Sequence, residues 1–213
     1  MTSSSGIIPY KLIIGLICYG VFSMASFGIL YASFMKQKED AETINQAGKQ
    51  RMLSQRIALG VIRKRLHLQL NESKFDEHQL IHDAELMRLH HLQLVHNKDH
   101  PDRDLSTALN TLYFSDHPPL YEKVLEFTKH AEWLAQVHSI EDYHRVNLEL
   151  FSEQEVENLL GQLNDVVNQY EIEAQLKLEN TKHLCMIIMC LHIGALLILH
   201  LICIRPAFSN KTD

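Results

Sequence analysis

Between residues 36 and 183 the 213-residue sequence has no cysteine, because Cys18, Cys185, Cys190 and Cys203 all fall near its two ends. A disulfide scaffold and a thiolate zinc site are therefore excluded from the middle of the chain. The end cysteines sit in apolar surroundings and act as small fillers. Also missing are a glycine-rich phosphate loop and any alternation of apolar and polar residues, which leaves helices as the elements to look for. Positive charge is scarce as well. Residues 36–183 hold 17 Lys and Arg against 25 Asp and Glu, a net charge of −8. Such a region lacks the cationic surface that nucleic-acid phosphates require. No nucleophile stands beside an ordered base and no cofactor fingerprint is present, and acidic pairs such as Asp76-Glu77 and Glu141-Asp142 are ordinary surface charges. Catalysis is therefore not expected.

Charge of either sign is absent from two long stretches. Leu12 to Phe34 is a run of 23 residues without a charged side chain, and Leu184 to Ile204 is a run of 21 whose only ionisable groups besides cysteine are His192 and His200. A membrane-spanning helix needs roughly 20 such residues. The first run exceeds the usual apolar core of a signal peptide and only Lys11 precedes it, so an uncleaved anchor is expected. The domain organisation read from this is a short tail over 1–11, a span over 12–34, a polar domain over 36–183, a second span over 184–204 and a tail over 205–213. Two spans put both tails on one side. Lys11, Arg205 and Lys211 flank the outer ends and Lys36, Lys38, Lys177 and Lys182 the loop ends, so charge bias alone does not orient the chain. His192 and His200, eight residues apart, are expected to contact a partner helix, and Gly194-Ala195 to allow close helix approach.

The polar domain reads as helical. A first segment runs from the membrane to about residue 70 and ends at the Asn71-Glu72-Ser73 turn. A second, over about 74–97, carries Phe75, Ile81, Ala84, Met87 and Leu94 and stops near Pro101. Asp104 to Leu109 predicts a short helical turn, ended by His117-Pro118-Pro119. A third long segment, about Leu120 to Ile140, has Val124, Phe127, Ala131 and Leu134 as its stripe, and Glu141 to Leu150 reads as loop. Ser152 and Glu155 form a capping box for a fourth helix with Val156, Leu160, Leu163, Val167, Tyr170 and Ala174 inward. The expected fold is all-α: an antiparallel four-helix bundle inserted between two transmembrane helices.

The densest local signal lies in residues 44–58. At about 100° per residue, Arg51 and Gln55 fall within about 20° of Ile44 and Ile62, and Ala58 within about 40°. Arg56 and Arg63 lie about 100–120° away. The sequence therefore predicts Arg51 as a charge on an apolar seam, answered either by a carboxylate of another helix or by a bound planar anion suited to its donor fork. Gly48, one turn earlier, would let a helix or ligand approach closely, and Gln55 would orient the anion. Two chains packed through this stripe would clamp one anion between two Arg51 side chains. Residues 49–65 carry Lys49, Arg51, Arg56, Arg63, Lys64 and Arg65 with no acid, which makes them either a counter-charged helix face or an anion site.

The run Asn45, Ala47-Gly48, Arg51-Met52, Ser54 and Arg56 resembles the membrane-proximal signature of the sensory domain at the N-terminus of type IV pilus methyl-accepting chemotaxis transducers. It is also similar to the corresponding segment of nitrate/nitrite-responsive sensor kinases. The resemblance implies a bacterial inner-membrane receptor module, dimeric, with a periplasmic helical bundle between two spans. It also implies a ligand contact from Arg51, the arginine before methionine, while the second arginine of the pattern corresponds to Arg56. Lys49-Gln50 and Leu53 depart from the nitrate sensors' version, so the anion stays unspecified. Nine residues follow Ile204, too few for a kinase, cyclase or methylation region; either a receptor fragment or signalling through a separate partner is expected. The competing expectation is a non-sensing adaptor or inhibitor docking onto another membrane protein. A third is a metal-binding envelope protein: His78 and His82 are one helical turn apart, as are His96 and His100, and His130 or His138 would add a ligand from a neighbouring helix.

Overall fold

The computed structural model describes residues 7–70, 75–95, 105–146 and 148–201. The predicted turn at Asn71-Glu72-Ser73, the His96–His100 pair, Pro101, Cys203 and the tail over 205–213 lie outside them. Among the described residues six α-helices follow in order: α1 (Ile7–Leu70), α2 (Glu77–Val95), α3 (Thr107–Phe114), α4 (Leu120–Gln136), α5 (Ile140–His144) and α6 (Glu153–Leu199), with a 3₁₀ turn at Leu148–Phe151 before α6. The chain divides into two compact units, one of residues 1–39 with 174–213, the other of residues 40–173.

In the first unit α1 and α6 are apolar around their whole circumference. Leu16, Val21, Met24, Phe27 and Phe34 on α1, and Met186, Met189, Leu191 and Leu197 on α6, are all exposed. A helix that is apolar on every side and uncovered by protein is matched to hydrocarbon rather than water. Both α1 and α6 are long and apolar enough to cross a membrane. Ser26 donates to the carbonyl of Phe22, so its hydroxyl is satisfied within its own helix. His192 packs on Tyr19 and Phe22, at ring distances of 5.6 and 4.6 Å, as a helix-contact residue. Gly194 has open space around it instead of the expected close neighbour, and His200 is exposed.

The second unit has one main core. It is built from Leu53, Ile57 and Val61 of α1, Leu80, Ala84 and Met87 of α2, Leu109 and Tyr113 of α3, Leu120, Val124, Phe127, Ala131, Leu134 and Ala135 of α4, Tyr143 of α5 and Leu159, Leu163 and Val166 of α6. The stripes predicted for α2, α4 and α6 are inward or half inward. The helix count is higher than expected, since α4 stops at Gln136, where Val137 turns extended. The following stretch, expected as loop, contains α5. Its start has a local cause: Ser139 Oγ accepts from Asp142 N at 3.1 Å, a helix N-cap. Tyr143 then reaches inward to donate to the carbonyl of Val61. The short turn expected over Asp104–Leu109 is α3, capped by Ser106 and displaced towards Phe114. At α6, Ser152 Oγ accepts from Glu155 N at 3.3 Å, the predicted cap.

Lys64 ties this unit together. Its side chain is 1% exposed, and its Nζ donates to Glu77 Oε1 at 2.6 Å and to the carbonyl of Ala135 at 2.9 Å. It also lies 5.2 Å from the centre of the Phe75 ring. One ammonium thus satisfies a carbonyl in the last turn of α4, where positive charge is favoured, and pairs with the first residue of α2. Replacing Lys64 by Ala is expected to cost about 2 kcal/mol, the scale of hydrogen bonds made by a charged group, since Glu77 itself keeps contact with solvent. The check is thermal unfolding of the full chain in non-ionic detergent.

The Lys64 hydrogen bond, opposed by burial and assisted by the charges of Lys64, His138 and His67, holds the Glu77 carboxyl below its ordinary value of 4.5. The fold therefore favours ionised Glu77. That contribution is complete above 4.5 and is lost as the pH falls through the depressed value. Acid unfolding of Glu77→Gln, compared with the parent chain, should show a shallower loss of stability below pH 4.5.

Candidate functional site

The face of α1 that enters the core is set by Ala47, Gln50, Leu53, Ser54, Ile57, Ala58, Val61 and Lys64, all buried. This corrects the rotation expected from the sequence: the buried stripe is turned roughly 110° from the Ile44–Ile62 line. Ile62 is 50% exposed and Ile44 is half-buried, and only Ala58 of the predicted stripe is inside. Three polar side chains take inward positions. Gln50 Nε2 donates to the carbonyl of Met87 at 2.9 Å, Ser54 Oγ donates to the carbonyl of Arg51, and Lys64 is bonded as above. Each has a partner, which is what lets it be buried.

The opposite face of α1 is outward and largely apolar. Met52, Leu59, Ile62 and Leu66 are each about half exposed, at 46%, 47%, 50% and 46%. With Gly48 and Gln55 they advance in alternating steps of four and three residues, the spacing of a coiled-coil seam. Arg51 lies along its edge, exposed, and makes no side-chain hydrogen bond or ion pair with any described residue. Gly48 has open space beside it. Of the signature residues, Ala47 and Ser54 face the core, whereas Asn45, Arg51 and Met52 face outward, as does Gln55. Arg56 is engaged elsewhere: it pairs with buried Asp83 of α2 at 2.8 Å.

Between α1 and α2 the polar pairs form a ladder. Gln46 bonds Gln93, Arg56 pairs with Asp83, and Lys64 pairs with Glu77, so the two helices run in opposite directions. Steps of seven along α1, from Lys49 through Arg56 to Arg63, match steps of seven back along α2, from His90 through Asp83 to Asp76. The cationic run at 49–65 is thus partly a counter-charged face, through Arg56 and Lys64, while Arg51 and Arg63 have no counter-charge within bonding distance among the described residues. Gly60 was not singled out from the sequence, yet it is the close-packing glycine here: a Cβ there would meet Leu80 Cδ1 at 2.9 Å.

His78 and His82 are both exposed, and among the described residues no group of three or more His, Cys, Asp or Glu side chains is placed to hold a metal ion. His130 Nδ1 instead lies 2.9 Å from the carbonyl of Glu126. His138 is exposed beside Glu77, 3.8 Å away.

With this geometry in hand, the chain can be set beside known proteins. The family model described as type IV pili methyl-accepting chemotaxis transducer N-term (PilJ) matches residues 33–113. That span runs from the end of the first apolar stretch through the α1 seam, α2 and most of α3, and covers less than half of the chain. Comparison with curated proteins and with solved structures gives no match. A non-catalytic sensory module of the chemotaxis-transducer type is the general class to which the match points.

One rung of the ladder sets two cations together. Burial first, and then the charge of Lys49, push the His90 imidazole below its ordinary value of 6.5. The fold favours neutral His90, so its contribution is complete above 6.5 and is lost as the pH falls towards the depressed value. Titration of His90 by NMR should give a midpoint below 6.5. In Lys49→Gln the midpoint should rise but stay below that figure, because burial is the larger cause.

Proposed function

We propose that the chain is a receptor module of the bacterial inner membrane. In this reading α1 and α6 cross the membrane, and the bundle between them, an antiparallel arrangement of the four longer helices with α3 and α5 as additions, stands in the periplasm. Two copies pair through the outward seam of α1 and bind a small anion at Arg51. The carrying observation is the unpartnered Arg51 guanidinium on the edge of an exposed heptad-spaced apolar face. Two chains anchored in one membrane meet in parallel, so their Arg51 side chains stand at the same height. Two guanidiniums so placed repel each other, and an anion between them turns repulsion into charge-assisted hydrogen bonds.

Gln55, one turn along the same face, is the orienting neighbour, and Gly48 leaves room for the ligand or the partner helix. Anion binding then draws the two α1 helices together. Because α1 is one helix from Ile7 to Leu70, that displacement is carried along it to a signalling partner. The module supplies binding and movement, not chemistry.

Calorimetry of the full chain in non-ionic detergent, with nitrate and nitrite as probes, tests this. Saturable heat is expected, with at least a tenfold loss of affinity in Arg51→Ala while chemical crosslinking still captures the pair. Leu59→Asp should abolish crosslinking. If Arg51→Ala instead destroys pairing with or without anion, and no heat is seen in the parent, the sensing reading fails and the adaptor or inhibitor reading replaces it.

A further inference from the structure

A second site lies on a different side of α1, where the ladder to α2 is left open. Arg56 closes on Asp83 at 2.8 Å. One step of seven further, Arg63 and Asp76 stand on matching rungs and form no ion pair. In place of that pair there is a cleft of about 640 Å³ between the two helices, which Arg63 and Asp76 both line. Its size falls within the roughly 300–1,000 Å³ of small-molecule sites. Apolar wall is supplied by Leu59, Leu66, Phe75 and Leu80. Gly60 brings Leu80 against the backbone of α1, so the cleft has a closed apolar floor at that point.

The polar groups are unequally used. Arg56 and Asp83 neutralise each other, and Asp83 Oδ1 also accepts from Gln79 at 2.9 Å. Asp76 spends Oδ1 on the Gln79 amide at 3.1 Å, leaving its second oxygen open. Arg63 makes no hydrogen bond or ion pair with a described residue, and the buried Nδ1 of His67, whose ring stacks on Phe75, has no partner among them. What remains is one free cation and one half-free carboxylate, facing an apolar wall.

A simple anion would meet Asp76 there and a simple cation would meet Arg63. A ligand carrying both charges close together on an apolar body satisfies the pair. We infer that this cleft binds a free α-amino acid with an apolar side chain: its carboxylate on Arg63, its ammonium on Asp76, and its side chain against Leu59, Leu66 and Phe75. Arg63 lies 12 residues from Arg51, roughly 18 Å along the helix and about 120° around it. The site therefore uses none of the charged groups of the proposed anion site, although Leu59 and Leu66 border both the cleft and the seam.

The test is calorimetry of the full chain in non-ionic detergent at pH 7.5, with leucine and phenylalanine as probes. Beside them are run 4-methylpentanoate and 3-phenylpropionate, which lack the ammonium, and 3-methylbutylamine and 2-phenylethylamine, which lack the carboxylate. Saturable binding of at least one amino acid is expected, weakened at least tenfold by removal of either charge. Arg63→Gln and Asp76→Asn should each weaken it at least tenfold, while Arg51→Ala leaves it unchanged. Arg63 is exposed and asparagine keeps the cap on α2, so both variants should fold, with circular dichroism as the control. The ligand series on the parent chain decides the matter even if a variant fails. No saturable binding at 10 mM of either amino acid overturns the inference. So does equal binding of the carboxylates lacking an ammonium, which would make the cleft an anion site, and so does binding that survives Arg63→Gln undiminished.

Discussion

A buried ammonium needs several partners at once, and at Lys64 they come from two other helices. The Glu77 carboxylate opens α2, the Ala135 carbonyl belongs to the last turn of α4, and the ammonium lies over the Phe75 ring. Removing a charge from water costs several kcal/mol unless those contacts are all made. The requirement therefore acts as a gauge on how α1 is rotated: with Lys64 inward, Val61 and Ile57 enter the core and Leu59, Ile62 and Leu66 must face out. Every other property of the α1 surface follows from that choice.

The same gauge fixes register. With Lys64 on Glu77, Arg56 meets Asp83 and Gln46 meets Gln93 farther along the same antiparallel pair. Two rungs do not close. At one, Lys49 faces a histidine that its charge and its burial keep neutral; at the other, Arg63 and Asp76 are held apart by the cleft. A ladder that is complementary at some steps and open at others stabilises the helix pair while leaving unsatisfied groups at defined heights.

Much of this was legible beforehand. The two charge-free runs, the break at Pro118, the stripe Val124, Phe127, Ala131 and Leu134, and the Ser152 cap all follow from local chemistry that packing does not override. The rotation of α1 was not legible, because that helix has two apolar faces. Polarity argues against the inward one, since it contains Gln50, Ser54 and Lys64; Ser54 is satisfied within its own helix, but Gln50 and Lys64 are made tolerable only by partners distant in sequence. Arg51 was expected on a seam with Ile44, Ala58 and Ile62; it stands instead on the edge of the exposed apolar face. α5 was missed although Ser139 and Asp142 carry the spacing of a cap, because five residues are too few to show periodicity. The cleft at Arg63 needed the register, which no single helix contains.

An outward seam of this kind has a definite energetic consequence for the proposed pairing. Covering the exposed half of Met52, Leu59, Ile62 and Leu66 on each copy returns roughly 1 kcal/mol per side chain. Association of two proteins costs about 4–15 kcal/mol, and anchoring in a common membrane places the pair towards the low end by fixing orientation in advance. The two terms are of the same size. Pairing is then near balance, and a ligand shifts it by no more than its difference in affinity between the paired and separate states. A seam with leucine at positions 51 and 55 would lock the pair regardless of ligand. In the proposed pair, arginine and glutamine there subtract from the apolar gain and supply a repulsion that an anion would remove, so that a helix surface imperfect as a coiled coil would answer to a solute.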